Sequence, residues 1–147
     1  MFRSALSKGL LPASMRKSLI TVIHKKGKDP QQCGSYRPIS SGNVDGKILT
    51  KILSNRLDGI LTTIIHQDQV GFIRGRSSAD NLRRLLHILW GNRDSPDPVM
   101  AFSLDAEKAF DRVEWGFLFY TLNKFGVGPS FLAWVKLLYV DPMVSLL

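Results

Sequence analysis

Apolar positions in the first part of the chain gather into a short, nearly continuous run. Leu19-Ile20-Thr21-Val22-Ile23 is a run rich in β-branched residues and predicts a strand. It leads into Lys25-Lys26-Gly27-Lys28-Asp29-Pro30, a basic stretch of turn formers. Tyr36-Arg37-Pro38-Ile39-Ser40 then reads as an extended segment returning from that loop. Pro38 has no N–H to give a ladder and holds Arg37 extended, which argues against a central strand.

The pattern then changes to helical. Ile48, Leu49, Ile52, Leu53, Leu57, Ile60, Leu61, Ile64 and Ile65 keep a 3.6-residue period, with Lys47, Lys51, Asn55 and Asp58 on the other side. Gly59 weakens the middle of this helix by about 1 kcal/mol, which leaves room for a kink or a division into two helices. After a polar, glycine-containing stretch over 67–77, a second helix starts near Ser77 or Ser78 and is expected to bury Leu82, Leu85, Leu86 and Leu89. Asn92 to Pro98 reads as a loop, and Val99 to Leu104 as a short strand with Phe102 and Leu104 on one face. Asp111-Arg112-Val113-Glu114 has the form of a capping box, Asp111 as N-cap and Glu114 at N3. The helix that follows runs through Phe117, Leu118 and Leu122 to Gly126, a C′ glycine. Pro129 suits the first turn of a last helix carrying Phe131, Leu132, Val135 and Leu138. Strand, helices, strand, helices is the order of an α+β or α/β protein.

Composition narrows the function classes. A chain of 147 residues suffices for a domain with its own core, and 44% hydrophobic with 22% charged residues is ordinary for a globular protein. The longest apolar runs fall short of a membrane span, and the first twenty residues lack the apolar core and cleavage site of a secretory signal. The expectation is therefore a protein neither secreted nor in a membrane. Cys33 is the single cysteine, which excludes an internal disulfide, and His24, His66 and His87 are too dispersed to make a zinc site with it. The net charge of +8 is unevenly placed. Residues 1–60 carry 11 Lys/Arg against three acids, while 61–147 carry nine of each. A basic half joined to a neutral half fits a polyanionic partner, or simply a solvated basic surface.

Three stretches carry candidate chemistry. In Phe102-Ser103-Leu104-Asp105-Ala106-Glu107-Lys108-Ala109-Phe110-Asp111 an apolar run ends in a carboxylate. Such a carboxylate can hold a hard cation against substrate phosphates, although turns and helix caps also favour Asp. Lys25, Lys26 and Lys28 with Arg37 suit a triphosphate or a nucleic-acid backbone, or form a charged hairpin tip that resists edge aggregation. In Gln69-Val70-Gly71-Phe72-Ile73-Arg74-Gly75-Arg76 the glycines permit close approach, the arginines can meet phosphates and Phe72 can pack or stack. The alternative is a helix connection with two solvated arginines. The glycine pattern and Lys-Ser/Thr of a P-loop are absent, which argues against a nucleotide hydrolase of that kind.

Taken together and in order, these stretches resemble the reverse transcriptases of LINE-type non-LTR retrotransposons. The resemblance runs from about Leu10 to the C-terminus. It rests on Ile23-His24-Lys25-Lys26-Gly27-Lys28-Asp29-Pro30, Ser35-Tyr36-Arg37-Pro38-Ile39-Ser40, Lys47 through Asn55-Arg56-Leu57, Asp68-Gln69-Val70-Gly71-Phe72 and Leu104 through Val113. It implies a partial right-hand polymerase fold of the α+β class, helix-rich with a few short strands. Residues 1–98 would be fingers-like, and 99–147 the first part of the palm.

The resemblance also implies roles. Asp105 would be the first catalytic, metal-binding aspartate, with the backbone carbonyl of Ala106 as a further ligand for Mg²⁺. Arg37 and one of Lys25 or Lys26 would hold the incoming deoxynucleoside triphosphate. Phe110 would exclude a 2′-hydroxyl, its other reading being a core phenylalanine. Gln69, Gly71, Phe72, Arg74 and Arg76 would grip the RNA template paired to a DNA primer. Lys108 and Asp111 belong to the motif in a structural capacity. The family continues with a Gln-Gly motif, an Ala-Asp-Asp turn and a thumb, and none of these occurs here. Two-metal chemistry needs several carboxylates, so the expectation is a fragment without polymerase activity of its own. Losing the strands that flank 99–104 would leave an exposed palm surface prone to self-association. The alternative is a non-enzymatic, nucleic-acid-binding remnant of a retroelement. The life cycle of such elements points to nucleus or cytoplasm.

Overall fold

The computed structural model describes residues 2–97 and 99–147. In chain order its elements are α1 (Phe2–Lys8), α2 (Ala13–Arg16), β1 (Lys17–His24), a 3-10 turn (Cys33–Ser35), β2 (Tyr36–Gly42), α3 (Val44–Ile64), α4 (Ser78–Gly91), α5 (Trp115–Lys124), α6 (Pro129–Leu138) and β3 (Met143–Leu146). Among the described residues the fold is mixed, helices with a small three-stranded sheet. By compactness it divides into one unit of Met1–Ser54 with Glu114–Leu147 and a second of Asn55–Val113. No helix among the described residues is long and apolar enough to cross a membrane.

In the first unit the sheet order is β2-β1-β3. β1 and β2 are antiparallel, with Val22 opposite Pro38 and Ile23 opposite Arg37. β2 lies at the edge, where Pro38 costs the sheet no ladder bond. β3 is parallel to β1, Lys17 opposite Met143 and Ile20 opposite Leu146. The sequence reading missed β3, because four residues carry too little pattern to announce a strand. It forms because β1 offers a free edge, and the Leu147 N–H extends the ladder to the Ile20 carbonyl at 3.0 Å.

The core of this unit is Ala5 of α1, Leu11, Leu49 and Leu53 of α3, and Leu137 of α6. Phe2, Met15, Phe131 and Trp134 pack around it. Leu49 and Leu53 are one turn apart, so α3 presents a single face there. The expected C-terminal end of α5 and the expected start of α6 are borne out. Gly126 follows the C-cap Phe125 at φ 75°, and Pro129 opens α6.

The second unit begins within α3, which passes through Gly59 as one continuous helix. α4 starts at Ser78, within the expected Ser77–Ser78 start, and the Ser77 hydroxyl accepts the Ala79 N–H at 3.3 Å as its cap. The loop expected over 92–98 is present as turn and bend through Asp97, and Pro98 lies outside the described residues.

Three expectations fail in this unit. Leu82, Leu85 and Leu89 of α4 are exposed and Leu86 is half-buried, because no element of this unit covers that stripe. Residues 99–104 form no strand. Among the described residues the strands all belong to the first unit, and without a partner the N–H and C=O groups of 99–104 are left to water. Asp111 does not cap α5. Its N–H closes a turn on the Lys108 carbonyl at 3.0 Å, with Lys108 at φ 51°. That turn consumes the residues a capping box needs, and the helix begins at Trp115 behind Glu114.

Candidate nucleotide and template site

The basic loop between β1 and β2 is closed by its own polar groups. The Lys25 N–H donates to the Ser35 carbonyl at 2.7 Å, and the Lys25 ammonium donates to the Gly34 carbonyl at 2.8 Å. The Tyr36 hydroxyl donates to the Pro30 carbonyl at 2.9 Å, and its ring meets His24 with centroids 5.2 Å apart. Gly27 sits at φ 79° in a turn closed from Lys28 to Lys25, a conformation that glycine accepts without strain. The two candidate lysines thus differ. Lys25 is half-buried and spends its ammonium on the loop, whereas Lys26 and Arg37 are exposed.

Loop 66–77 is held at both ends. The Arg76 guanidinium donates to the carbonyls of Thr62 (3.2 Å), Ile65 (2.9 Å), His66 (2.6 Å) and Gln69 (2.7 Å). Asp68 pairs with Arg84, and its carbonyl accepts the Asn81 side-chain amide at 2.8 Å. The sequence reading missed these clasps, since Asn81 stands 13 residues beyond Asp68 and no local pattern links them. Between the clasps, the Gln69 amide donates to the Gly71 carbonyl at 3.2 Å. Phe72 adopts φ 62° and is 88% exposed, while its neighbour Ile73 is buried. Arg74 is exposed beside it.

Asp105 and Ala106 lie outside regular structure, exposed, after a Leu104 that is 95% exposed. Nearby, Glu107 is spent on Arg112 at 3.2 Å. Phe110 is not a core residue. It is exposed and meets Phe72 edge to face, centroids 5.9 Å apart. The structure therefore brings together one residue of the expected template segment and one of the expected nucleotide site. The donor set does not fit a two-metal centre. Among the described residues no three His, Cys, Asp or Glu side chains gather where they could hold a metal ion.

Comparison with known proteins fixes the family. The model for "Reverse transcriptase (RNA-dependent DNA polymerase)" matches residues 23–146. The chain is 37% identical over 137 residues to the transposon TX1 uncharacterized 149 kDa protein of Xenopus laevis, covering 93% of this chain and 10% of that protein. It is 32% identical over 114 residues to the RNA-directed DNA polymerase from mobile element jockey of Drosophila melanogaster, covering 76% and 12%. Identity to the Pol polyprotein from the type-1 retrotransposable element R2 of Popillia japonica is 27% over 122 residues, covering 83% and 17%. The chain thus spans about a tenth to a sixth of the length of these relatives. On these matches it belongs to the reverse transcriptase family, and its relatives are the RNA-directed DNA polymerases of LINE-type non-LTR retrotransposons.

Proposed function

We propose that this chain is the fingers (1–98) and first palm segment (99–147) of an RNA-directed DNA polymerase of the right-hand type. It would bind the template–primer duplex and the incoming deoxynucleoside triphosphate without polymerising by itself. The family match over 23–146 carries this reading, because it spans every candidate segment in order. Lys26 and Arg37, exposed beside a loop that closes on itself, are suited to triphosphate oxygens. Phe110, exposed and set against Phe72, is suited to bound the sugar. Gln69, Gly71, Phe72 and Arg74 form an exposed face suited to the template strand, an RNA.

The divalent ion of such an enzyme, Mg²⁺ in this reading, would take Asp105 and the Ala106 carbonyl as one part of its shell. That is too small a donor set for nucleotidyl transfer, which needs carboxylates around two cations roughly 3.5–4 Å apart. The exposed apolar residues of α4 and of 99–104 further support association of one copy with another.

Incubating the chain with an RNA template, a DNA primer, deoxynucleotides and Mg²⁺ tests the reading. The expected outcome is salt-dependent duplex binding without primer extension. Extension that disappears in Asp105→Ala would overturn the claim of inactivity, and absence of any duplex binding would overturn the binding role.

A further inference from the structure

Arg76 lies at the end of a basic, glycine-bearing loop, where a phosphate contact is the obvious reading. Its hydrogen bonds point elsewhere. α3 ends at Ile64, and the carbonyls of a helix's last turn lack intrahelical donors. Arg76 Nη2 supplies one of the missing donors, to Thr62, and also bonds the Ile65 carbonyl directly after the helix, while Nη1 reaches the His66 and Gln69 carbonyls beyond it. A cation at this end is also favoured by the helix dipole. The planar fork matches several oxygens at fixed angles, and four acceptors occupy most of its five N–H groups.

We propose that Arg76 is a positioning residue and not a template ligand. By capping α3 it closes the 66–75 loop onto the helix end, and so holds Phe72 and Arg74 outward where they meet the template strand. The inference rests on the template role proposed for 69–74. It assigns the two arginines of this loop different work: Arg74 is exposed and free to reach a phosphate, and Arg76 is committed to backbone carbonyls.

The test titrates the whole chain into a fluorescein-labelled RNA–DNA duplex across a salt series. Arg76→Lys keeps the charge but offers a single ammonium to four carbonyls, so the cap fails. We expect it to weaken binding as far as Arg76→Ala does, by about tenfold. Arg74→Ala should lower the log–log salt slope by about 0.9, the value of one phosphate neutralised, and adding Arg76→Ala should lower it no further. Near-normal affinity of Arg76→Lys, or a further drop of the slope in the double variant, would overturn the proposal. Amide exchange of the free chain provides the second readout. Both Arg76 variants should speed exchange over 62–76 and leave β1 and β2 unchanged, and unaltered exchange over 62–76 would overturn the cap. If the unsubstituted chain binds no duplex, the template role fails along with the outward-holding function, while the exchange data still decide whether Arg76 caps α3.

Discussion

The ring of Phe72 meets the ring of Phe110 edge to face, 5.9 Å between centroids, although 37 residues of sequence separate the two and both are exposed. Phe72 reaches this position through a left-handed backbone, φ 62°, in which a bulky L residue is strained. Two opposing effects follow, and two substitutions separate them. Phe72→Ala removes the ring pair, worth about 0.5–1.5 kcal/mol, and keeps the strain. Phe72→Gly removes the same ring but relieves the backbone by about 1 kcal/mol. The glycine variant should therefore be the more stable of the two, contrary to the order at an ordinary loop position. Amide exchange over 66–77 reads the difference. An alanine variant as protected as the glycine variant would show that the backbone stores no strain here.

The two lysines of the hairpin loop should separate by assay. Lys26→Ala is expected to weaken duplex or triphosphate binding and to lower the salt slope by about 0.9, leaving the loop intact. Lys25→Met removes the ammonium that donates to the Gly34 carbonyl, at a local cost of about 1 kcal/mol. Faster exchange at Lys25 and Ser35, with binding reduced less than in Lys26→Ala, is the expected pattern. Reversal of that order would return the ligand role to Lys25.

The elements the sequence announces are those whose signals are local. The β-branched run at 19–23, the long period over 48–65, Ser77 at the start of α4, and Gly126 with Pro129 between α5 and α6 all specify structure through near neighbours. β3 is illegible because it owes its existence to the free edge of β1, more than a hundred residues earlier. The opposite error at 99–104 has the same origin: strand-forming composition produces no strand where nothing supplies the other half of the ladder. In the candidate site, residue types pointed to Arg74 and Arg76 alike. Only the carbonyls of Thr62, Ile65, His66 and Gln69 distinguish them, and the spacing of the arginines in the chain says nothing of those acceptors.

Arg16 ties the end of α2 to the turn before β3. Its Nε donates to the Leu11 carbonyl at 3.0 Å, and Nη1 donates to the Asp141 carbonyl at 2.9 Å and also pairs with the Asp141 carboxylate. The Arg16 side chain is largely buried and that of Asp141 is not, so the two partners should be unequal in worth. Asp141→Asn retains a residue that tolerates φ 48° and forfeits a partly screened charge, at a cost of about 0.5 kcal/mol. Arg16→Met abandons both carbonyls as well as the carboxylate, and about 2 kcal/mol is expected. Urea melts of the two variants check this. Equal losses would place the value in the ion pair and not in the carbonyl hydrogen bonds.

The stripe of α4 left exposed in this chain carries a prediction for its behaviour in solution. Leu82, Leu85, Ile88 and Leu89 are all exposed, as are Phe102 and Leu104 further along the same unit. An apolar surface of that extent is costly in water, at about 25 cal/mol for each Å² left uncovered. A second copy presenting the same surface is the occupant always at hand, so self-association should rise with concentration. Leu85→Lys interrupts the stripe at its centre, and because Leu85 is itself exposed the change should leave helix content intact. Sedimentation equilibrium of the two proteins decides the matter. The parent chain is expected to gain mass with concentration and the Leu85→Lys variant to gain less, with matching far-ultraviolet dichroism. A parent chain that stays monomeric over the tens-of-micromolar range would mean that solvent exposure of this stripe is tolerated, and that the surface is not an interface between copies.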